Sequence, residues 1–134
     1  MSETTCQLLV IGAGPAGMAA AQTAARHGVE VIVVDDQPRP GGQIYRNVDA
    51  SPLARPELLG REYLYGRQQV LGFRQAPLEY LADSSVWYLD RHGEAGIVSA
   101  GVHRRIRAAG LRGRDRRPEA RNPLRDSRSV RFRR

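Results

Sequence analysis

Six consecutive residues, Gly12-Ala13-Gly14-Pro15-Ala16-Gly17, and a carboxylate about twenty positions further on, Asp35, have types and spacing suited to chemistry. In a G-x-G-x-x-G array each glycine answers a separate need. Gly12 permits a tight turn, Gly14 lets the backbone approach a pyrophosphate, and Gly17 lets a helix lie close to the preceding strand. An anion then sits at a helix N-terminus, where free N–H groups and the helix dipole favour negative charge. Asp35 stands where a carboxylate accepts hydrogen bonds from adenosine ribose hydroxyls. Its charge would repel a 2′-phosphate, which disfavours NADP.

Such groups work only if the right elements position them. Residues 6–11 (CQLLVI) read as a short buried strand ended by glycine. Residues 15–27 read as an alanine-rich helix, with Pro15 where its missing N–H costs nothing and Gly28 closing the C-terminus. Residues 29–34 (VEVIVV) are apolar and β-branched, as in a second, parallel strand. A glycine cluster alone is a weak signal. Here a strand precedes it, a helix follows, a second strand returns, and Asp35 ends that strand. A bare strand–turn–helix would need none of this coincidence.

Beyond Asp35, residues 36–56 read as a Pro- and Gly-rich loop, and 57–75 show helical spacing through Leu58, Leu59, Tyr63, Leu64, Val70 and Leu71, weakened by Gly60 and Gly66. Short strands are expected at 78–82, 85–89, 97–99 and 102–107, parted by turns such as Arg91-His92-Gly93. The glycine fingerprint leaves FAD and NAD both open. Physically, Gly41-Gly42 offers unobstructed backbone N–H groups, and it fits an ordinary turn after Pro40 equally well.

The segment Asp35-Asp36-Gln37-Pro38-Arg39-Pro40-Gly41-Gly42-Gln43-Ile44-Tyr45-Arg46 resembles the stretch after the second strand in FAD-dependent pyridine-nucleotide oxidoreductases. It is most similar to the flavoprotein subunits of opine oxidase, hydrogen cyanide synthase and hydroxyproline dehydrogenase. Gly-Gly-Gln is shared with thioredoxin reductase, and Val86-Trp87 resembles the start of the β-meander in these subunits. The resemblance covers residues 6–109 and is most specific over the first 46. It implies an α/β fold: an incomplete Rossmann-like FAD/NAD(P)-binding domain with a parallel sheet and a β-meander. It also implies FAD ahead of NAD. The implied site is Gly12, Ala13, Gly14, Pro15, Ala16 and Gly17 at the pyrophosphate and Asp35 at the ribose, followed by Asp36 and Gln37. Gly41, Gly42 and Gln43 would run beside the FAD, with Gln43 nearest the flavin. The related subunits oxidise C–N bonds of amino-acid-like substrates and pass electrons to other oxidoreductase subunits. Flavin would carry that redox chemistry and the protein would orient it. An NAD-dependent dehydrogenase domain is the alternative within the same class.

Other residues offer less. His27 suits a helix C-terminus, where a cation-capable group meets the dipole. His92 falls in a turn, His103 in an exposed strand, and Trp87 suits packing. No His, Cys or carboxylate pair has metal-ligand spacing, so no metal is expected. The single cysteine, Cys6, suits a buried strand and a reducing cytoplasm. No apolar run long enough to span a membrane occurs, and the N-terminus lacks a signal-peptide layout.

Charge divides the 134 residues in two. Up to His103 there are 8 Arg against 11 acidic residues; from Arg104 onward there are 13 Arg against 3, together giving the net charge of +7 without a lysine. Residues 110–134 carry too few apolar groups to bury, and disorder is expected there. One reading makes this tail the arm of a non-catalytic, basic interaction protein. Few aromatics interleave with its arginines, so nucleic acid is not the expected partner. The other reading makes it out-of-frame translation. Shifted by one base, the codons of Arg114 to Arg117 can encode Ala-Thr-Gly-Ala, which ends a buried strand at this point in the related flavoproteins. On that reading residues 1–109 are a FAD-binding unit of a truncated, inactive flavoprotein subunit. The absent strand would leave 6–11 as an exposed apolar edge.

Overall fold

A computed structural model describes residues 2–45 and 60–109. The elements run β1 (Ser2–Cys6), β2 (Leu8–Ile11), α1 (Pro15–Arg26), β3 (Val31–Val34), α2 (Gly42–Tyr45), α3 (Arg61–Gln75), β4 (Glu79–Leu81), β5 (Ser84–Leu89), β6 (Glu94–Ser99) and β7 (Val102–Ala108). They form a three-stranded parallel sheet, β2-β3-β4, and a four-stranded sheet, β1-β7-β6-β5, whose last three strands are an antiparallel meander.

Strand β3 sits at the centre because all four of its side chains are buried. Alternation sends Val31 and Val33 to one face, against Met18, Ala21 and Ala25 of α1 and Val70 and Phe73 of α3. Ile32 and Val34 face the other way, onto Ala95, Ile97, Ile106 and Ala108 of the meander sheet. Three layers result: two helices, the parallel sheet, and the meander. A continuous apolar run marks a strand covered on both faces, as VIVV is here.

One expected strand is two. The run 6–11 breaks at Gln7, whose N–H and that of Leu8 both donate to the Glu30 carbonyl at 3.0 Å, while the Gln7 side chain accepts from the Glu30 amide at 2.8 Å. Before the break, β1 pairs in parallel with β7, from Ser2 opposite Arg104 to Cys6 opposite Ala108. After it, β2 pairs with β3. The polar residues Ser2 to Thr5 carry no apolar signal; partnership with β7 makes them a strand.

One smaller difference concerns the loop expected at 36–56. Gly42–Tyr45 forms a helical turn, closed by the Tyr45 N–H on the Gly41 carbonyl at 3.0 Å. Residues 46–56 of that loop lie outside the described residues, as do 57–59 of the expected second helix and the whole of 110–134. Among the described residues β2 has β3 as its one neighbour, and Ile11 at its end is about half exposed. No described helix is long and apolar enough to cross a membrane.

Candidate functional site

The glycine loop joins β2 to α1 at the C-terminal edge of the parallel sheet. Gly12 turns the chain with φ +99, a value open to glycine and costly for other residues, and its N–H donates to the Val34 carbonyl at 2.7 Å. Gly14 is the helix N-cap, and a β-carbon built on it meets nothing within 4 Å. The space above it is open. A β-carbon on Gly17, by contrast, would overlap the Gly12 carbonyl oxygen and lie 3.5 Å from Val10. Pro15 takes the first helical position, no described side chain caps the helix, and the amides of Ala16 and Gly17 have no intrahelical acceptor. Two donors at the helix N-terminus are therefore left without a partner in the helix.

Asp35 follows β3 directly. Its backbone is held from both sides: its N–H donates to Leu81 at 3.0 Å and its carbonyl accepts from Ser84 at 2.9 Å. The side chain is buried, and Oδ2 has no hydrogen-bond partner among the described residues. Burial pushes the carboxyl pKa up. The amide of Ala13 opposes that rise, the nearby Asp36 charge adds to it, and the amides of Gln37 and Asp36 oppose it again. A buried carboxylate oxygen with no protein donor is costly and calls for an outside donor.

A cavity of about 430 Å³ brings Gly12 and Asp35 together; it is lined by Ile11, Gly12, Val34, Asp35 and Asp36, and across from them by Ser84, Ser85 and Val86 of β5. Ribose hydroxyls at Asp35 Oδ2 and a diphosphate over Gly14 fit this arrangement. Asp36 and Gln37 are exposed at its rim, joined by a 3.1 Å hydrogen bond from Gln37 Nε2 to Asp36 Oδ1. Gln37 and Gly42 share a second cavity of about 160 Å³ with Pro38 and Arg39. The Gly41-Gly42 pair lies against the glycine loop, with the Gly41 N–H on the Ala13 carbonyl at 2.8 Å. Gln43 contributes backbone to α2; its side chain lies outside the described residues.

The β5 wall was not legible in the sequence as part of the site. Ser84 stands just before the strand expected at 85–89. Its place is set by the approach of one sheet to the other and by Oγ donating to the Ala82 carbonyl at 2.8 Å. The three histidines lie elsewhere. His27 caps α1, with Nδ1 2.8 Å from the Thr23 carbonyl, and His103 meets the edge of Trp87 at a ring separation of 5.9 Å. His92 is in the β5–β6 turn, where its amide donates to Asp90. Among the described residues no group of His, Cys, Asp and Glu is arranged to hold a metal.

Comparison with known proteins bears on the fold. Residues 10–80 match the model of a family described as NAD(P)-binding Rossmann-like domain. An opine oxidase subunit from Agrobacterium tumefaciens (strain Ach5) is 41% identical over 107 residues, covering 74% of this chain and 21% of that protein. The chain thus spans about a fifth of the length of the opine oxidase subunits it matches. L-proline dehydrogenase from P. horikoshii superposes with a TM-score of 0.60 at 15% identity, over 81% of this chain and 22% of that one. The flavin-dependent monooxygenase PieE, solved with FAD and substrate, gives a TM-score of 0.58 at 13% identity over 81% and 30%. At these identities the two structures show the shared fold.

Proposed function

The chain belongs to the NAD(P)-binding Rossmann-like domain family, and from that premise we propose that residues 1–109 form a FAD-binding unit of an oxidoreductase. The observation that carries the proposal is the orphaned Asp35 Oδ2, set in the same cavity as Gly12, two residues before the open face of Gly14. One end of that arrangement needs hydrogen-bond donors and the other offers them. The adenosine-diphosphate part of a dinucleotide supplies the complement: ribose hydroxyls at the first and diphosphate oxygens at the second.

FAD is preferred to NAD on two grounds. Gly41-Gly42 packs on the glycine loop, so the next stretch of chain runs beside the path a dinucleotide takes away from the diphosphate. The relatives include opine oxidase subunits, and the similar structures include flavin-dependent enzymes. Gly12, Gly14, Ala16 and Gly17 hold the diphosphate, with Ala13 and Pro15 shaping the loop, and Asp35 the ribose. Asp36, Gln37, Gly41, Gly42 and Gln43 line the route toward the flavin.

When bound, the flavin supplies hydride acceptance; this chain supplies anchoring and orientation. By similarity to the opine oxidase relatives, the substrate is an amino-acid-like molecule oxidised at a C–N bond, with other oxidoreductase subunits taking the electrons. Equilibrium dialysis of the chain against FAD, NAD and NADP tests the reading. FAD is retained and NADP is not; retention of NAD with exclusion of FAD would replace this proposal with the dehydrogenase one.

A further inference from the structure

We propose that Tyr45 is a positioning residue: braced on Gly66 of α3, it presses Gly41 and Gly42 against the glycine loop and so sets how tightly a dinucleotide is held. The ligand is the one proposed under the previous heading; the mechanics rest on contacts within the protein.

The contacts form a continuous chain. Helix α3 is fixed to α1 through buried Val70 and Phe73, and by Gln22 Nε2 donating to the Gln69 carbonyl at 3.2 Å. Gly66, buried on the same helix, is where the Tyr45 ring sits: a β-carbon there would collide with ring carbons Cδ1 and Cε1. The backbone of Tyr45 is tied to the loop by its N–H on the Gly41 carbonyl. Gly41 in turn donates to Ala13, and a β-carbon on Gly42 would lie 3.0 Å from Gly14 Cα and 3.6 Å from Pro15 Cδ.

Both glycines occupy left-handed backbone, φ +127 and +59, so the loop closes onto Gly14 by a route barred to most residues. The pressure comes from the tyrosine ring seated on a helix that lacks a side chain at that one point. A loop seated in advance spares the ligand the work of ordering it.

The test uses the full chain with Tyr45→Ala, Gly66→Ala and Tyr45→Phe. Hydrogen exchange at the Gly41 amide is read without ligand, and FAD affinity by flavin fluorescence. Tyr45→Ala and Gly66→Ala should speed Gly41 exchange about tenfold, leave β3 amides unchanged, and weaken FAD about tenfold through the smaller competent population. Tyr45→Phe should match wild type, since the ring and not the hydroxyl is the brace. Alanine at 66 favours the helix, so its effect would not come from unravelling α3. Unchanged Gly41 exchange in both alanine variants overturns the proposal, as does a Tyr45→Phe variant that behaves like Tyr45→Ala. Failure of the wild type to bind FAD would sink the dinucleotide reading, while Gly41 exchange still decides the brace.

Discussion

Gly17 and Gly12 touch: the first turn of α1 lies so close to the end of β2 that a single β-carbon on Gly17 would overlap the Gly12 carbonyl oxygen. Five residues apart in sequence, the pair fixes how the helix N-terminus is aimed. Gly14, between them, has open space instead. The two glycines Gly17 and Gly14 therefore have opposite sensitivities. Gly17→Ala should destabilise the fold by about 1–3 kcal/mol, the usual cost of forcing an atom into packed structure, read as a lower urea midpoint. Gly14→Val should unfold within about 1 kcal/mol of wild type, since the cost there is that of a poorer N-cap, yet lose FAD because its side chain fills the diphosphate space.

Asp35 should make FAD binding depend on pH. Burial raises its pKa in the free protein, so the folded chain holds the proton more tightly than the unfolded one. As pH rises through the window between the ordinary carboxylate pKa and that raised value, the unliganded protein loses stability. A ribose donating to the carboxylate favours its charged form, so FAD affinity should climb through the same window and level off above it. Asp35→Asn should bind more weakly at neutral pH and show a flat profile. Titrations at several pH values check both slopes.

The turn between β6 and β7 carries removable strain. Ala100 has φ +49 and Gly101 φ +77, the two positive values of a type I′ hairpin turn, where Asn-Gly is preferred. Ala100→Asn should raise stability by about 0.5–1 kcal/mol, because asparagine tolerates the left-handed region better than alanine. Urea unfolding reads the gain, with FAD affinity unchanged.

Cys6 is buried between the sheets, and burial first, then the charges of Glu30 and Glu79, push its thiol pKa up. A thiol-reactive dye should label it slowly in native buffer and quickly in denaturant. Fast native labelling would mean that β1 opens away from β7.

The cradle is legible in the sequence because its signals are local. The glycine spacing, Pro15 at the helix start, the unbroken VIVV strand and Asp35 at its end all fall within one β-α-β unit, where Gly12, Val34 and Asp35 line one cavity. What stayed hidden depends on distant chain. Ser2–Cys6 is a strand through its pairing with β7, so the break at Gln7 has no local mark. The β5 wall of the cavity exists because Ile32 and Val34 draw the meander onto the parallel sheet. The Gly41-Gly42 doublet reads as an ordinary turn, while its contact with Gly14 and the Tyr45 ring's contact with Gly66 of α3 join parts of the chain distant in sequence.

The central claim is that a dinucleotide lies with its diphosphate over Gly14 and its ribose on Asp35. Backbone and carboxyl NMR shifts of the labelled chain during a FAD titration test it most directly. The Gly14, Ala16 and Gly17 amides and the Asp35 carboxyl carbon should move most and saturate together. Saturating shifts that fall on the outer face of the meander and spare these four groups would contradict it.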